Sequence, residues 1–301
     1  MNFVQPPDSV RGYLAELRRA FKGSPRGLIA DALADCEEHL NMEIAQNPDM
    51  DEAAVMAQVI ETYGSPQEIA EEYRDMESAI STPFPQQPEI AEGRPGGFFN
   101  VISDARTYGA LLYMLLSLIT GIFYFTWTVV GISITAGTSV LIIGIPLALV
   151  FLVSFRMLSH VEGRIVESLL GVRMPRRLPA AAGSDEKIWP RIKEMLSDLR
   201  TWTSTFYLLL MLPLGIIYFV IGVVGIAVPL GFIGGAIWSL ITNHSVVQMQ
   251  GVPWLGHLFQ TAPGLVLLAA IGLVIFFLML HLARLIGWMH GKIAEGLLVR
   301  L

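Results

Sequence analysis

Two long stretches of the chain contain no Asp, Glu, Lys or Arg: residues 107–155 and residues 201–283. A helix that crosses a bilayer needs about 20 predominantly apolar residues. The first stretch therefore has room for two crossings and the second for at least two. The whole chain is only 15% charged, whereas soluble domains average about 25%. These stretches exclude a wholly soluble enzyme.

We predict four membrane-spanning helices, at about 108–132, 138–158, 203–228 and 264–284. All 20 Lys and Arg residues lie outside the two loops that join the first span to the second and the third to the fourth. Because Lys and Arg collect in cytoplasmic segments, we expect both termini and the segment between spans two and three to be cytoplasmic.

The formal net charge of −6 is divided unevenly along the chain. Residues 1–92 contain 6 Lys and Arg against 18 Asp and Glu, a net charge of −12, and the remainder has a net charge of +6. A strongly acidic module is repelled by a polyanion, so we expect no direct binding of nucleic acid. The single cysteine, Cys36, excludes an internal disulfide framework.

Residues 1–80 are predicted to form a small bundle of four helices, because apolar residues recur at helical spacing between Gly and Pro breaks. Gly64 is expected to stop the third helix. Ser65 and Glu68 have the spacing of a capping box, with Pro66 at the first helical position. A Pro- and Gly-rich linker over 81–97 is expected to tether this bundle to the membrane part.

Carboxylates crowd the second and fourth helices of the predicted bundle. They form either a solvated face that keeps the bundle soluble or a docking surface for a basic or amphipathic partner. The residues that we expect to contact such a partner are Glu37, Glu38, Glu71 and Glu72.

The bundle also contains three short motifs, in chain order Tyr13-Leu14-x-x-Leu17, Asp35-x-x-x-His39-Leu40 and Tyr63-Gly64-Ser65-Pro66-x-Glu68-Ile69-Ala70-x-x-Tyr73. Together they resemble the HTH-associated α-helical signalling (HAAS) domain. The resemblance implies a cytoplasmic module that works with a PadR-like winged-helix transcription factor.

The membrane part, residues 98–301, repeats itself. Between residues 103–132 and 197–226, an offset of 94, 16 of the 30 aligned pairs are identical. A second block, 163–170, returns as 291–298 at an offset of 128. The difference is an insertion in the second copy at about 231–263, and whether it re-enters the membrane stays open. Because each copy contains two spans, the copies are expected to be parallel repeats.

The membrane part contains two hydrophobic hairpins, and the first of them is followed by a basic, Leu-rich segment, Arg164 to Val172, and then by Pro175. This order resembles the "Putative sensor" membrane domain of bacterial signalling proteins. The resemblance implies a multi-pass protein of the bacterial inner membrane. We expect contact with membrane lipids, and association with a second copy of the chain stays open.

Residue patterns that carry chemistry are absent from the sequence. It contains no Gly-rich phosphate loop, no cysteine pair and no His-Glu-x-x-His spacing, so we predict no enzymatic activity, no cofactor and no metal site. His281 lies within the fourth predicted span and is a candidate intramembrane polar site. A snorkelling or hydrogen-bonded structural role is the alternative.

These patterns predict an all-α, membrane-integral signalling protein without enzymatic activity. Its cytoplasmic bundle would regulate a PadR-like transcription factor, or bind another cytoplasmic protein, in response to a membrane or envelope signal. The competing hypothesis is a small transporter or channel-like protein with a regulatory bundle.

Overall fold

The computed structural model describes residues 7–79, 98–138, 144–177, 188–242 and 258–299. Nearly all of these residues are helical, and no strand occurs among them. The helices are α1 (Val10–Ala20), α2 (Arg26–Gln46), α3 (Glu52–Tyr63), α4 (Pro66–Ala79), a 3-10 helix (Phe98–Ile102), α5 (Ala105–Thr138), α6 (Gly144–Leu170), α7 (Ile188–Ser197), α8 (Leu199–Thr242) and α9 (Ala262–Leu298). The all-α fold class is confirmed. The predicted linker over 81–97 lies outside the described residues.

Helices α1 to α4 share one apolar core, as the heptad-like spacing of their apolar residues predicts. The core contains Tyr13 and Leu17 from α1 and Phe21 just after its end, with apolar side chains of the other three helices packed around them. The Tyr13 hydroxyl donates a hydrogen bond of 2.9 Å to the Gly64 carbonyl oxygen. This bond satisfies a buried phenol and ties α1 to the turn that precedes α4.

Four helices, α5, α6, α8 and α9, are long and apolar enough to cross a membrane. Helices α5, α8 and α9 each contain one predicted span, and α6 contains most of the second. The helices are longer than predicted because their flanks keep helical periodicity without a break. Thr138, the first residue of the second predicted span, is the last residue of α5, and α6 begins at Gly144. Helix α8 continues to Thr242 and so takes in the first part of the 231–263 insertion. Residues 243–257 of the insertion lie outside the described residues.

Glycines bring the backbones of α5 and α8 into direct contact. A Cβ atom added to Gly121 would lie 2.5 Å from the Met211 carbonyl oxygen, and one added to Gly215 would lie 2.2 Å from the Ser117 carbonyl oxygen. Gly215 and Met211 stand 94 residues after Gly121 and Ser117, so the two contacts are reciprocal. Small residues at such crossings are typical of membrane helices, and this symmetry supports the duplication that the sequence indicates.

Equivalent aspartates begin the two repeats. The Asp104 carboxylate accepts a hydrogen bond from the Arg106 backbone amide at 3.1 Å, and the Asp198 carboxylate accepts one from the Arg200 amide at 2.9 Å. A carboxylate in this place satisfies an amide that has no partner within the helix.

The chain divides into two compact units. The first contains the described residues within Met1–Ala91, Arg156–Ser204 and Ile293–Leu301, and the second those within Glu92–Phe155 and Thr205–Lys292. The bundle therefore packs with the segment between the second and third spans, which the sequence analysis assigned to the membrane part.

Candidate functional site

The acidic face of the bundle carries a bound segment of its own chain. This arginine segment, residues 173–177, follows the end of α6 and holds Arg173, Arg176 and Arg177. Gly171, with a φ of 71°, lets the chain turn sharply after Leu170. The segment then runs along α2, where the Gly27 Cα lies against the backbone of Arg173 and Met174.

Arg173 is the buried anchor of this contact. Its guanidinium donates to the Asp31 carboxylate through Nη2 at 2.9 Å and to the Glu77 carboxylate through Nε at 2.9 Å. Only 4% of the Arg173 side chain is exposed. Removing one partner of such a buried pair costs about 3–5 kcal/mol, because the other charge is then left buried and unpaired.

Arg176 and Arg177 extend the contact along the surface. Both backbone amides donate to the Asp31 carboxylate, at 3.0 Å from Arg176 and 3.2 Å from Arg177. The Arg176 guanidinium pairs with Glu167 at 2.8 Å and with Glu77 at 3.5 Å. The Arg177 guanidinium pairs with Asp35 and Glu38. Asp31 therefore accepts three separate donors and is the centre of the site.

The four glutamates that we expected to contact a partner are all exposed. The structure brings one of them, Glu38, into the arginine contact, whereas Glu37, Glu71 and Glu72 make no ion pair among the described residues. The sequence analysis did not single out the three arginines. The sequence did contain a signal for this contact: three arginines lie around Pro175, in a chain whose residues 1–92 carry a net charge of −12.

The turn before α4 has the geometry of a reciprocal cap. The Glu68 carboxylate accepts from the Ser65 backbone amide at 2.8 Å and from the Ser65 hydroxyl at 2.9 Å. These hydrogen bonds lower the pKa of the Glu68 carboxyl. Gly64 has a φ of 113°, a conformation that favours glycine, and Pro66 is the first residue of α4.

A histidine other than the predicted one is buried among the membrane helices. His290 is fully buried in α9. Its Nε2 contacts the hydroxyls of Tyr113 and Tyr207, the latter at 2.9 Å, and its Nδ1 lies 3.4 Å from the Tyr218 hydroxyl. Tyr113 and Tyr207 are equivalent residues of the two repeats, so both copies converge on one imidazole.

His281, the predicted intramembrane polar site, lies elsewhere. Its Nε2 is 3.1 Å from the Phe98 carbonyl oxygen, and its ring lies 4.9 Å from the Phe98 ring. This environment corresponds to the hydrogen-bonded structural role that was the alternative. The sequence could not separate the two histidines, because burial depends on which face of α9 meets its neighbours.

Within the described part of the chain, no group of three His, Cys, Asp or Glu side chains has a metal-binding arrangement. The arrangement in the first unit instead suits electrostatic binding, since carboxylates on one surface already hold guanidiniums through charge-assisted hydrogen bonds.

Two family models match the chain. The model described as HAAS matches residues 12–72, and the model described as Putative sensor matches residues 80–298. Both resemblances inferred from the sequence are confirmed. The comparisons with curated proteins and with solved structures give no match.

Proposed function

The chain belongs to the Putative sensor family, and from that membership we propose that it is a non-enzymatic membrane sensor whose HAAS bundle regulates a PadR-like transcription factor. Four membrane-length helices and the two family matches establish a membrane signalling role in general terms. The identity of the regulator, the inner-membrane location and the cytoplasmic position of both termini are parts of the proposal.

One observation carries this proposal: the chain that leaves α6 binds directly to the acidic face of the bundle. Because the Arg173 anchor lies three residues after Leu170, the last residue of α6, a rotation or shift of that helix would move the anchor. The buried pair with Asp31 would transmit this movement to α2. A change in the membrane would thereby alter the surface that the bundle offers to its partner.

The surface proposed for the regulator is the part of the acidic face that the arginine segment leaves uncovered. Glu37 lies on α2, and Glu71 and Glu72 lie on α4. A basic or amphipathic surface on the regulator would complement these carboxylates, and such exposed charges act mainly on association rate and specificity.

The proposal is tested by titrating a purified PadR-like regulator against the full chain in detergent at low and high salt. Reversing Glu37, Glu71 and Glu72 to Lys should weaken binding and reduce its dependence on salt, because exposed pairs are screened within about 10 Å. A matched control reverses three exposed carboxylates elsewhere on the bundle: Asp49, Asp51 and Glu61.

If the regulator binds both triple variants as tightly as the original chain, electrostatic docking at this face is wrong. If it binds none of the three proteins, the regulatory proposal itself is wrong. Glu38→Lys is made separately, because this change also breaks the intramolecular pair with Arg177.

The proposed orientation is tested by reporter fusions. Fusions at residue 182 and at the C-terminus should report the cytoplasm, and a fusion at residue 248 should report the outside. An outside signal at residue 182 would contradict the arrangement of two spans before and two after that point.

A further inference from the structure

A small cationic pocket lies in the first unit, beside the middle of α6 and the start of α8. Arg156, His160 and Arg200 line it together with the Ser204 hydroxyl and Pro175. Arg156 is the first charged residue after the charge-free stretch 107–155, and Arg200 is the last before the stretch 201–283. The pocket therefore lies where charged chain meets membrane-spanning chain.

Arg156 is held in place by the start of α8. Its Nη2 donates to the Asp198 carboxylate and to the Thr201 hydroxyl, both at 2.8 Å, and its Nε is 3.2 Å from the same hydroxyl. The bonds use one edge of the guanidinium, so Nη1 is left without an acceptor among the described residues. Asp198 is already engaged as the cap of α8 through the Arg200 amide.

Arg200 contributes a second guanidinium that is only partly exposed. No carboxylate among the described residues forms an ion pair with the Arg200 side chain. Two carboxylates act electrostatically on Arg200: Asp198 is shared with Arg156, and Asp31 is already paired with Arg173. With His160 neutral, the pocket therefore keeps a net charge of about +1. A partly buried charge without a counter-ion is costly unless an anion binds there.

We propose that this pocket binds the phosphate of a singly charged phosphodiester, the headgroup chemistry of an anionic membrane lipid. One negative charge matches the residual charge of the pocket, and guanidinium groups bind phosphate oxygens through paired N–H donors. Leu199 and Trp202, which flank Arg200, are 53% and 55% exposed. Exposed apolar side chains beside the cationic pocket favour a lipid over a free phosphate.

The test uses the full chain, stripped of lipid in a neutral detergent and titrated with phosphatidylglycerol, with binding counted by native mass spectrometry. Arg200→Gln should weaken phosphatidylglycerol binding about tenfold, the effect of losing one charge-assisted hydrogen-bonded contact. Arg164→Gln is the matched control, because it removes the same charge from an arginine that is half exposed and paired with Glu167. It should change the affinity by less than about twofold.

Arg200→Lys is a control for misfolding, because it keeps the positive charge and loses only the forked geometry of the guanidinium donors. Its affinity should lie between those of the original chain and Arg200→Gln. Equal affinities of Arg200→Gln and Arg164→Gln would overturn the proposal, and so would an Arg200→Lys protein that binds as weakly as Arg200→Gln. If excess inorganic phosphate displaces the lipid, the pocket binds phosphate in general, and the assignment of a lipid as its ligand is wrong.

Discussion

Gly27→Ala should separate the arginine segment from the bundle without changing any charge. A Cβ atom at residue 27 would lie 2.6 Å from the Arg173 carbonyl oxygen and 2.7 Å from the Met174 carbonyl carbon. Both are backbone atoms, so no flexible side chain can move aside. Ordinary contact begins at 3.4 Å, and the segment therefore has to retreat by about 0.8 Å.

This retreat is large enough to break hydrogen bonds. The Arg173 guanidinium lies 2.9 Å from the Asp31 carboxylate, and the Arg176 amide lies 3.0 Å from it. Lengthening either distance by about 0.8 Å exceeds the range of a hydrogen bond. Loss of hydrogen bonds to a charged group costs about 2 kcal/mol, which corresponds to a roughly 30-fold change in an equilibrium constant.

The assay is amide hydrogen exchange on the full chain in detergent. The Arg176 and Arg177 amides donate to the Asp31 carboxylate, so the peptide that contains them should exchange roughly 30-fold faster in Gly27→Ala. Gly163→Ala is the control, since its added Cβ would meet the Met174 side chain at an ordinary 3.5 Å. Unchanged exchange in Gly27→Ala, or equal acceleration in both variants, would refute the reasoning.

The same substitution should have the opposite sign in the isolated bundle. In a fragment of residues 1–80 the arginine segment is absent, and alanine is a better helix former than glycine by up to about 1 kcal/mol. Urea unfolding of the fragment should therefore show Gly27→Ala as neutral or stabilising. Destabilisation of the fragment would show that the substitution acts within α2 and not through contact with the arginine segment.

Three further predictions concern the bundle and the membrane helices. Ser65 holds the pKa of the Glu68 carboxyl below its usual value of 4.5, so this group stabilises the folded fragment above that pH, and the contribution is lost as the pH falls through the lowered value. In Glu68→Gln, the free energy of unfolding from urea titrations should therefore fall less steeply as the pH is lowered. An unchanged dependence on acidic pH would contradict this. Burial raises the pKa of the Cys36 thiol to about 11, so iodoacetamide at about pH 8 should label it only after unfolding, and stoichiometric labelling of the folded chain would disprove the burial. Gly215→Ala should lower the thermal stability of the full chain by about 1–3 kcal/mol, since its Cβ would lie 2.2 Å from a backbone carbonyl of α5. Gly222→Ala is the control and should have little effect, because its Cβ would meet the nearest side-chain atom at 3.6 Å. Equal losses of stability in the two variants would contradict the close crossing of α5 and α8.

Local features of the sequence were sufficient for the helices and for the family. Two charge-free stretches predicted four spans, and four helices of membrane length occur there. Glycine and proline breaks predicted the four helices of the bundle, and the HAAS and sensor matches confirm both resemblances. Such predictions succeed because hydropathy and helix stop signals act over one or two turns. Helix ends were less accurate, since the amphipathic flanks of the spans continue the same periodicity.

The sites depended on contacts between distant residues. Asp31 and Arg173 are separated by 142 residues, and Tyr113 and His290 by 177. Periodicity places each side chain on a face of its own helix but says nothing about which other helix covers that face. For this reason the sequence indicated an acidic surface and missed the arginines that bind it, and it selected His281 where His290 is the buried histidine.

The sequence by itself determined that this chain has room for four apolar spans, an acidic N-terminal region, and a segment at 103–132 that returns at 197–226. These properties follow from residue types at fixed spacing. Only the tertiary structure decided that the segment after α6 folds back onto the bundle and that the two repeats share one histidine. Both results arise from pairing across the chain, where the free energy comes from burying specific donors and acceptors against each other.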